Sequence, residues 1–488
     1  MKHKKYIAIA LTALLTFGSA QTALAAVIYH DISEGNLEIS QTTDDTYEVT
    51  GSTTTHSIIV KDGVVTHIVL NGVNIETTNI NGIKIGSEAN VVLELDGTNS
   101  ITVNTESYDT AKAGINVAEG TLTITGGEYD SLDVKVIDKG YPSYYADGAA
   151  IGSDEGEKFN GTIIIEGGNI TAVSERGAGI GSGYNSEMSG TITISGGEVE
   201  ASSSYGAGIG SGWNGEMSST ITISGGEVTA SSSLFGAGIG AGDFGDITES
   251  GSITIGGNAT VTANSELGLG IGSGDYGNMN GTITITDDAK VDITLGDTSN
   301  KTGIGAGERS DDVFNGRINI LEHANVELKY DDPDYTDYEG TPNIGSVNPD
   351  STGEITLSTG ATINGTQASD VEALKALGIL NDNAGTTTVE PTPEPENPDS
   401  RNTYSLKQLN LVQRINEAED GEVVAVSEEQ LSKGKLPAYA LEALAKKENV
   451  TLAILCEKFD ILIPSEDAVV DAGSTQFYTI DELVEMYE

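Results

Sequence analysis

Apolar and polar residues alternate with period two in short runs from about Thr66 to Thr366, and glycine, asparagine and serine break each run. Alternation of this kind makes half-buried strands. Gly-Ala-Gly-Ile-Gly occurs at 177–181, 206–210 and 236–240, with near copies at 268–272 and 303–305. The central isoleucines are Ile180, Ile209, Ile239, Ile271 and Ile304, and weaker members stand at Ile85, Ile115, Ile151 and Ile344. A second column runs through Thr-Ile-Thr-Ile at 191–194, 220–223 and 282–285 and Ser-Ile-Thr-Ile at 252–255. It reaches Leu70, Leu95, Ile124 and Ile165 on one side, Ile320 and Leu357 on the other. A third is Ile75, Ile101, Val136, Ile170, Val199, Val228, Val261, Val291, Val326 and Ile363.

Each period thus holds three strands, all too short to bury a face alone, and stacked copies would share one continuous core. The expected fold is all-β, a right-handed parallel β-helix with three walls and about ten coils over residues 66–366. A propeller blade would need four strands in about forty residues. Glycine beside the inward isoleucines fits a corner that needs positive φ. Phe159, Met188, Met217, Met279 and Phe314 recur just before the second-column strand and predict a packed corner.

The ends of such a rod expose strand edges. Residues 26–65, with strand-like pieces at Asn36–Ile39, Tyr47–Thr50 and Ser57–Val60, are expected to form an N-terminal β cap. At the other end, Ser369 and Glu372 read as a capping box opening a short helix within 367–380, with Leu374, Leu377 and Leu380 over the last coil. A Pro/Glu-rich linker over 381–400 leads to a small α/β module at 401–488. In that module Ser405 with Gln408, Pro437, and Thr479 with Glu482 mark helix starts. Strands are expected at Glu422–Val426, Val450–Leu455 and Phe459–Ile463.

Residues 1–25 read as a signal peptide: Lys2, Lys4 and Lys5, an apolar run from Tyr6 to Phe17, then Ala23-Leu24-Ala25. No other apolar run has membrane-spanning length, so a secreted protein without a transmembrane segment is expected. The 488 residues hold 24 Lys+Arg and 74 Asp+Glu, a formal charge of -50. Cleavage after Ala25 would remove three lysines and no acid, giving -53. A polyanion of this size repels nucleic acid and anionic lipid and attracts cations. Cys456 is the single cysteine, so the core, or partly a metal, must hold the fold without an internal disulfide.

Tyr47-Glu-Val-Thr-Gly-Ser-Thr-Thr, Ile68-Val-Leu-Asn-Gly-Val-Asn-Ile75 and the Gly-Ala-Gly-Ile-Gly coils resemble glycine-rich β-helical surface proteins of Gram-positive bacteria known as carbohydrate-binding-domain proteins. The resemblance covers about residues 45–365. It implies a polysaccharide-binding or adhesin-like protein at the cell surface with calcium sites, shaped like a pectate lyase but without its active site. The expected partner is an extracellular polysaccharide or a host or cell-surface glycan. The segment from Lys435 to Leu452 also resembles a small module at the ends of similar proteins.

Tyr184, Trp213, Phe244 and Tyr276 follow the glycine corner at nearly equal places and suggest a ladder of rings for sugar faces, centred on Trp213; the bland alternative is a satellite cluster of packed rings. Asp154, Asn185, Asn214, Asp243, Asp275 and Glu308 follow the same corner and are candidate hard-oxygen ligands for calcium, against the alternative of a solvated acidic face. A β-helical polysaccharide lyase or glycoside hydrolase is the enzyme alternative. It finds Asp287-Asp288 and Asp311-Asp312 as paired aspartates in the coils, with Arg317 and His323 isolated, and the chain is expected not to be an enzyme. The files Thr191/Thr193, Thr220/Thr222, Ser252/Thr254 and Thr282/Thr284 also resemble the flat arrays of ice-binding solenoids, although threonine is an ordinary outward strand residue.

Overall fold

The computed structural model describes residues 26–106, 111–139, 146–296, 302–307, 312–331, 342–380 and 386–390, and parts of 411–484. The expected signal segment 1–25, Cys456 and Glu308 lie outside the described residues.

The chain winds through three sheets of 13, 12 and 11 strands, here the first, second and third walls. A middle coil runs Thr191–Ile194 on the first wall, Glu198–Ser203 on the second and Ile209–Gly210 on the third, then returns to the first at Thr220–Ile223. Every strand pairs in parallel with its equivalents one coil away, so that Ile194 lies between Ile165 and Ile223. The one antiparallel exception in these walls is Thr366–Gln367, which folds back on Thr362–Ile363. This is the right-handed parallel β-helix that the repeat predicts. At about 4.8 Å per strand, 13 strands make a rod on the order of 58 Å long.

One core runs the length of the rod, from Ile32 to Leu380. Ile180, Ile209, Ile239, Ile271 and Ile304 stack in register and are fully buried. Each such side chain is worth about 1.5–3 kcal/mol of burial. Glycine follows these isoleucines for a steric reason. Gly210 has φ +143, and a Cβ there would lie 1.8 Å from the Gly240 carbonyl oxygen in the next coil. The packed corner is also present: Phe159, Met188, Met217, Ile247, Met279 and Phe314 bridge in sequence, all buried, with Ile247 an additional member.

The register departs from the expected columns toward the N-terminus. Ile115 pairs with Ile83, not Ile85, and Ile124 with Leu93, not Leu95. Ile170 pairs with Leu132, while Val136 stands opposite Val103. Residues 26–65 are not set apart in the ladders. Val27–Asp31, Leu37–Ile39 and Ser52–Thr53 are the terminal strands of the first, third and second walls, so this segment adds further rungs.

At the C-terminal end the helix spans Val371–Ala376, and its N-cap is Asp370 rather than Ser369. The Asp370 carboxylate accepts from the Ala373 N–H at 3.1 Å. Leu374, Ile379 and Leu380 are buried, whereas Leu377 is exposed. Within the expected linker, Thr386–Glu390 pairs in parallel with Glu354–Ser358 as the last strand of the first wall.

The C-terminal module has its own core, from Leu411 to Leu483. Val423–Ser427 pairs in parallel with Thr451–Leu455, which pairs antiparallel with Asp460–Pro464. Pro437 ends a strand, Lys435–Pro437, and the helix begins after it at Ala438. Thr479 closes the strand Phe477–Thr479, and Ser405, Gln408 and Glu482 lie outside the described residues. Among the described residues no helix is long and apolar enough to cross a membrane.

Candidate functional site

After each third-wall strand the chain turns toward the packed corner, and backbone hydrogen bonds between coils fix which turn residues are equivalent. The Asn185 N–H donates to the Trp213 carbonyl at 2.9 Å, Asn214 N–H to Asp243 at 2.8 Å and Phe244 N–H to Asp275 at 2.8 Å. Tyr184, Trp213, Asp243 and Asp275 therefore form one file, and Asn185, Asn214, Phe244 and Tyr276 form the next. The expected single column of four rings is two pairs on adjacent files. The second file is left-handed throughout, with φ of 54, 55, 58 and 61°. Asparagine tolerates that conformation; phenylalanine and tyrosine adopt it less readily.

The first pair is packed. Trp213 and Tyr184 have centroids 5.5 Å apart at 55°, and Tyr205 from the preceding corner stacks on Trp213 at 4.9 Å and 18°. The Arg176 guanidinium lies 4.3 Å from the Tyr184 centroid and 5.4 Å from that of Trp213. Arg176 also donates through Nε and Nη2 to the two Asp147 carboxylate oxygens. Burial pushes the Asp147 carboxyl up to about 6, against the pull of Arg176. Trp213 and Tyr184 are partly exposed, and their rings contact each other, with Tyr205 on Trp213 and Arg176 beside both.

The second pair is open. Phe244 and Tyr276 stack at 4.5 Å and 3°, yet they remain 48% and 42% exposed. Phe244 walls a groove of about 300 Å³ lined by Glu187, Asn214, Glu216 and Asp246. The three acids form a file of their own, each preceding a packed-corner residue: Met188, Met217 and Ile247. Lys158 pairs with Glu187 at 2.9 Å. Asp246 Oδ1 accepts from the Asn278 N–H at 2.7 Å. Glu216 has no ion-pair partner among the described residues and is exposed. Asn214 donates to Asn185 Oδ1 at 2.8 Å.

Segments 163–184, 192–213, 221–243 and 253–275 match the β-helix repeat family model. They end on Tyr184, Trp213, Asp243 and Asp275, the same file that the hydrogen bonds define. The chain is a parallel β-helix protein. No curated protein and no solved structure matches it.

On this β-helix the described calcium candidates have different surroundings. Asp154 is buried and taken up: Lys112 pairs with it at 2.7 Å, and it accepts from Asn81 Nδ2 at 2.7 Å and the Ala113 N–H at 2.8 Å. Asp243 and Asp275 belong to the first file and are buried, whereas Asn185 and Asn214 belong to the second and are exposed. Among the described residues no three Asp, Glu, His or Cys side chains are grouped to hold a metal, and the candidates Asp243 and Asp275 stand on one file, Asn185 and Asn214 on the next.

The paired aspartates are separated as well. Asp287 Oδ2 accepts from the Gly257 N–H at 2.6 Å, and Asp288 lies 3.8 Å from His323; Asp311 is outside the described residues, while Asp312 is buried. The threonine files are in register over four coils and end at Arg317 and Asn319.

Tyr205, Arg176 and the acids Glu187, Glu216 and Asp246 were not singled out by the sequence pattern. Their signal is positional: Arg176 and Tyr205 directly precede the glycine of Gly-Ala-Gly-Ile-Gly, and the acids directly precede the corner residues.

Proposed function

We propose that this β-helix is a secreted, non-catalytic polysaccharide-binding surface protein and that its contact with sugar centres on Phe244. The observation that carries the reading is the exposed, stacked Phe244–Tyr276 pair held at positive φ beside a groove of carboxylates and an amide. Aromatic residues kept in a disfavoured conformation and in water serve packing poorly, and such strain concentrates at functional sites. A pyranose offers an apolar face for a ring and a rim of hydroxyls for carboxylate and amide acceptors. This groove supplies both.

A glycan array on the full chain, followed by affinities for the best ligand, tests the proposal. Phe244→Ala is expected to weaken binding at least tenfold, about 1.4 kcal/mol, with an unchanged melting temperature. Undiminished affinity in that variant would place any glycan contact elsewhere.

A further inference from the structure

Three carboxylates line the groove beside Phe244, those of Glu187, Glu216 and Asp246, and the Lys158 ammonium pairs with the first of them. Lys158 is committed to Glu187, and Asp246 spends one oxygen on Asn278. Glu216 is exposed and without an ion-pair partner among the described residues. The acids come from three successive coils, so the negative charge repeats along the rod at the strand spacing, about 4.8 Å. A neutral sugar needs acceptors for its hydroxyls but no net charge. An anionic sugar would be repelled here and by the chain's formal charge of -50.

From this juxtaposition of Phe244's ring with Glu216 and Asp246 we infer that the groove selects polysaccharides bearing free amino groups, that is, protonated amino-sugar polymers. The ring takes the pyranose face, and the carboxylates take the ammonium in a charge-assisted hydrogen bond, which is stronger than a neutral one. The inference rests on the glycan-binding reading above and adds the charge of the ligand to it.

Affinities of the full chain for a glucosamine oligomer, its fully N-acetylated counterpart and an oligogalacturonate, all at mildly acidic pH and moderate salt, test it. The glucosamine oligomer is expected to bind at least tenfold more tightly than the acetylated one, and the oligogalacturonate not at all. The double variant Glu216→Gln/Asp246→Asn should abolish that preference. A second variant, Glu198→Gln/Glu227→Gln, removes the same charge from exposed, paired positions on the second wall and should keep the preference.

If both wall and groove variants reduce the preference alike, the attraction is that of any polyanion and the inference fails. Equal affinity for the two oligomers, lost in Phe244→Ala, would overturn the charge selectivity and leave glycan binding standing. Tighter binding of an oligolysine than of the glucosamine oligomer would also overturn it, since the ring would then add nothing to recognition. Absence of binding to every oligomer and to a wider glycan array would overturn both readings.

Discussion

Trp213 and Phe244 occupy neighbouring files of the same turn and meet opposite surroundings. The Trp213 indole lies between Tyr205 and Tyr184 with the Arg176 guanidinium beside it, while Phe244 has one ring neighbour, Tyr276, and is 48% exposed. Both are aromatic turn residues in the sequence, and Phe244 is the more exposed of the two. Trp213→Ala removes two ring contacts and a cation contact, and about 2 kcal/mol of stability is expected to go with them. Glycan affinity per folded molecule should not change. Thermal melting and binding measured on this one variant decide it, and a stable protein with lost affinity would return the binding centre to Trp213. The offset was present in the residue order: Trp213 is three residues after Gly210, and Phe244 is four after Gly240. Tyr-Asn and Trp-Asn in two coils become Asp-Phe and Asp-Tyr in the next two. An aromatic and a polar residue have exchanged places, and counting aromatics alone hides the exchange.

At the scale of strands, the middle coils were legible because identical Gly-Ala-Gly-Ile-Gly segments fix register residue by residue. Toward the N-terminus only alternation remained. Val91, Leu93 and Leu95 all point inward from one strand, so a slip of two residues buries the same face and the hydrophobic pattern cannot choose among them. Alternation alone therefore fits Leu95 opposite Ile124 as well as Leu93, and Ile85 opposite Ile115 as well as Ile83. Stacking also brings together groups that lie far apart in sequence. Glu322 and Asp287 occupy the left-handed position after successive first-wall strands, with φ of 53 and 58°. Burial, then the Asp287 carboxyl, pushes Glu322 up to about 7 from an ordinary value of 4.5. A raised carboxyl pKa means that the folded chain holds this proton more tightly than the unfolded chain does. Its contribution to stability is therefore complete below about 4.5 and is lost as pH rises to about 7. Glu322→Gln keeps a neutral side chain at every pH. The wild type should lose stability relative to this variant across that window, and parallel melting curves against pH would show that the pair is relaxed in solution.

Over the whole molecule, 74 acids face 24 Lys and Arg. Self-repulsion at this charge opposes the compact state, and any cation that gathers near the surface relieves it. Two mechanisms predict different ion dependence. A coordinated calcium would stabilise through a site of several oxygens at 2.3–2.6 Å, a geometry magnesium meets poorly because it is smaller and holds its water. A diffuse atmosphere depends on charge and concentration and treats the two ions alike. The described turn acids favour the second mechanism: Asp154 is spent on Lys112, Asn81 and Ala113, while Asp243 and Asp275 stand on one file and Asn185 and Asn214 on the next. Millimolar calcium and magnesium at equal ionic strength are thus expected to raise the melting temperature by the same amount, with sodium chloride approaching that shift at higher concentration. A larger, saturating response to calcium, abolished by chelator and retained in high salt, would require a true site on this rod.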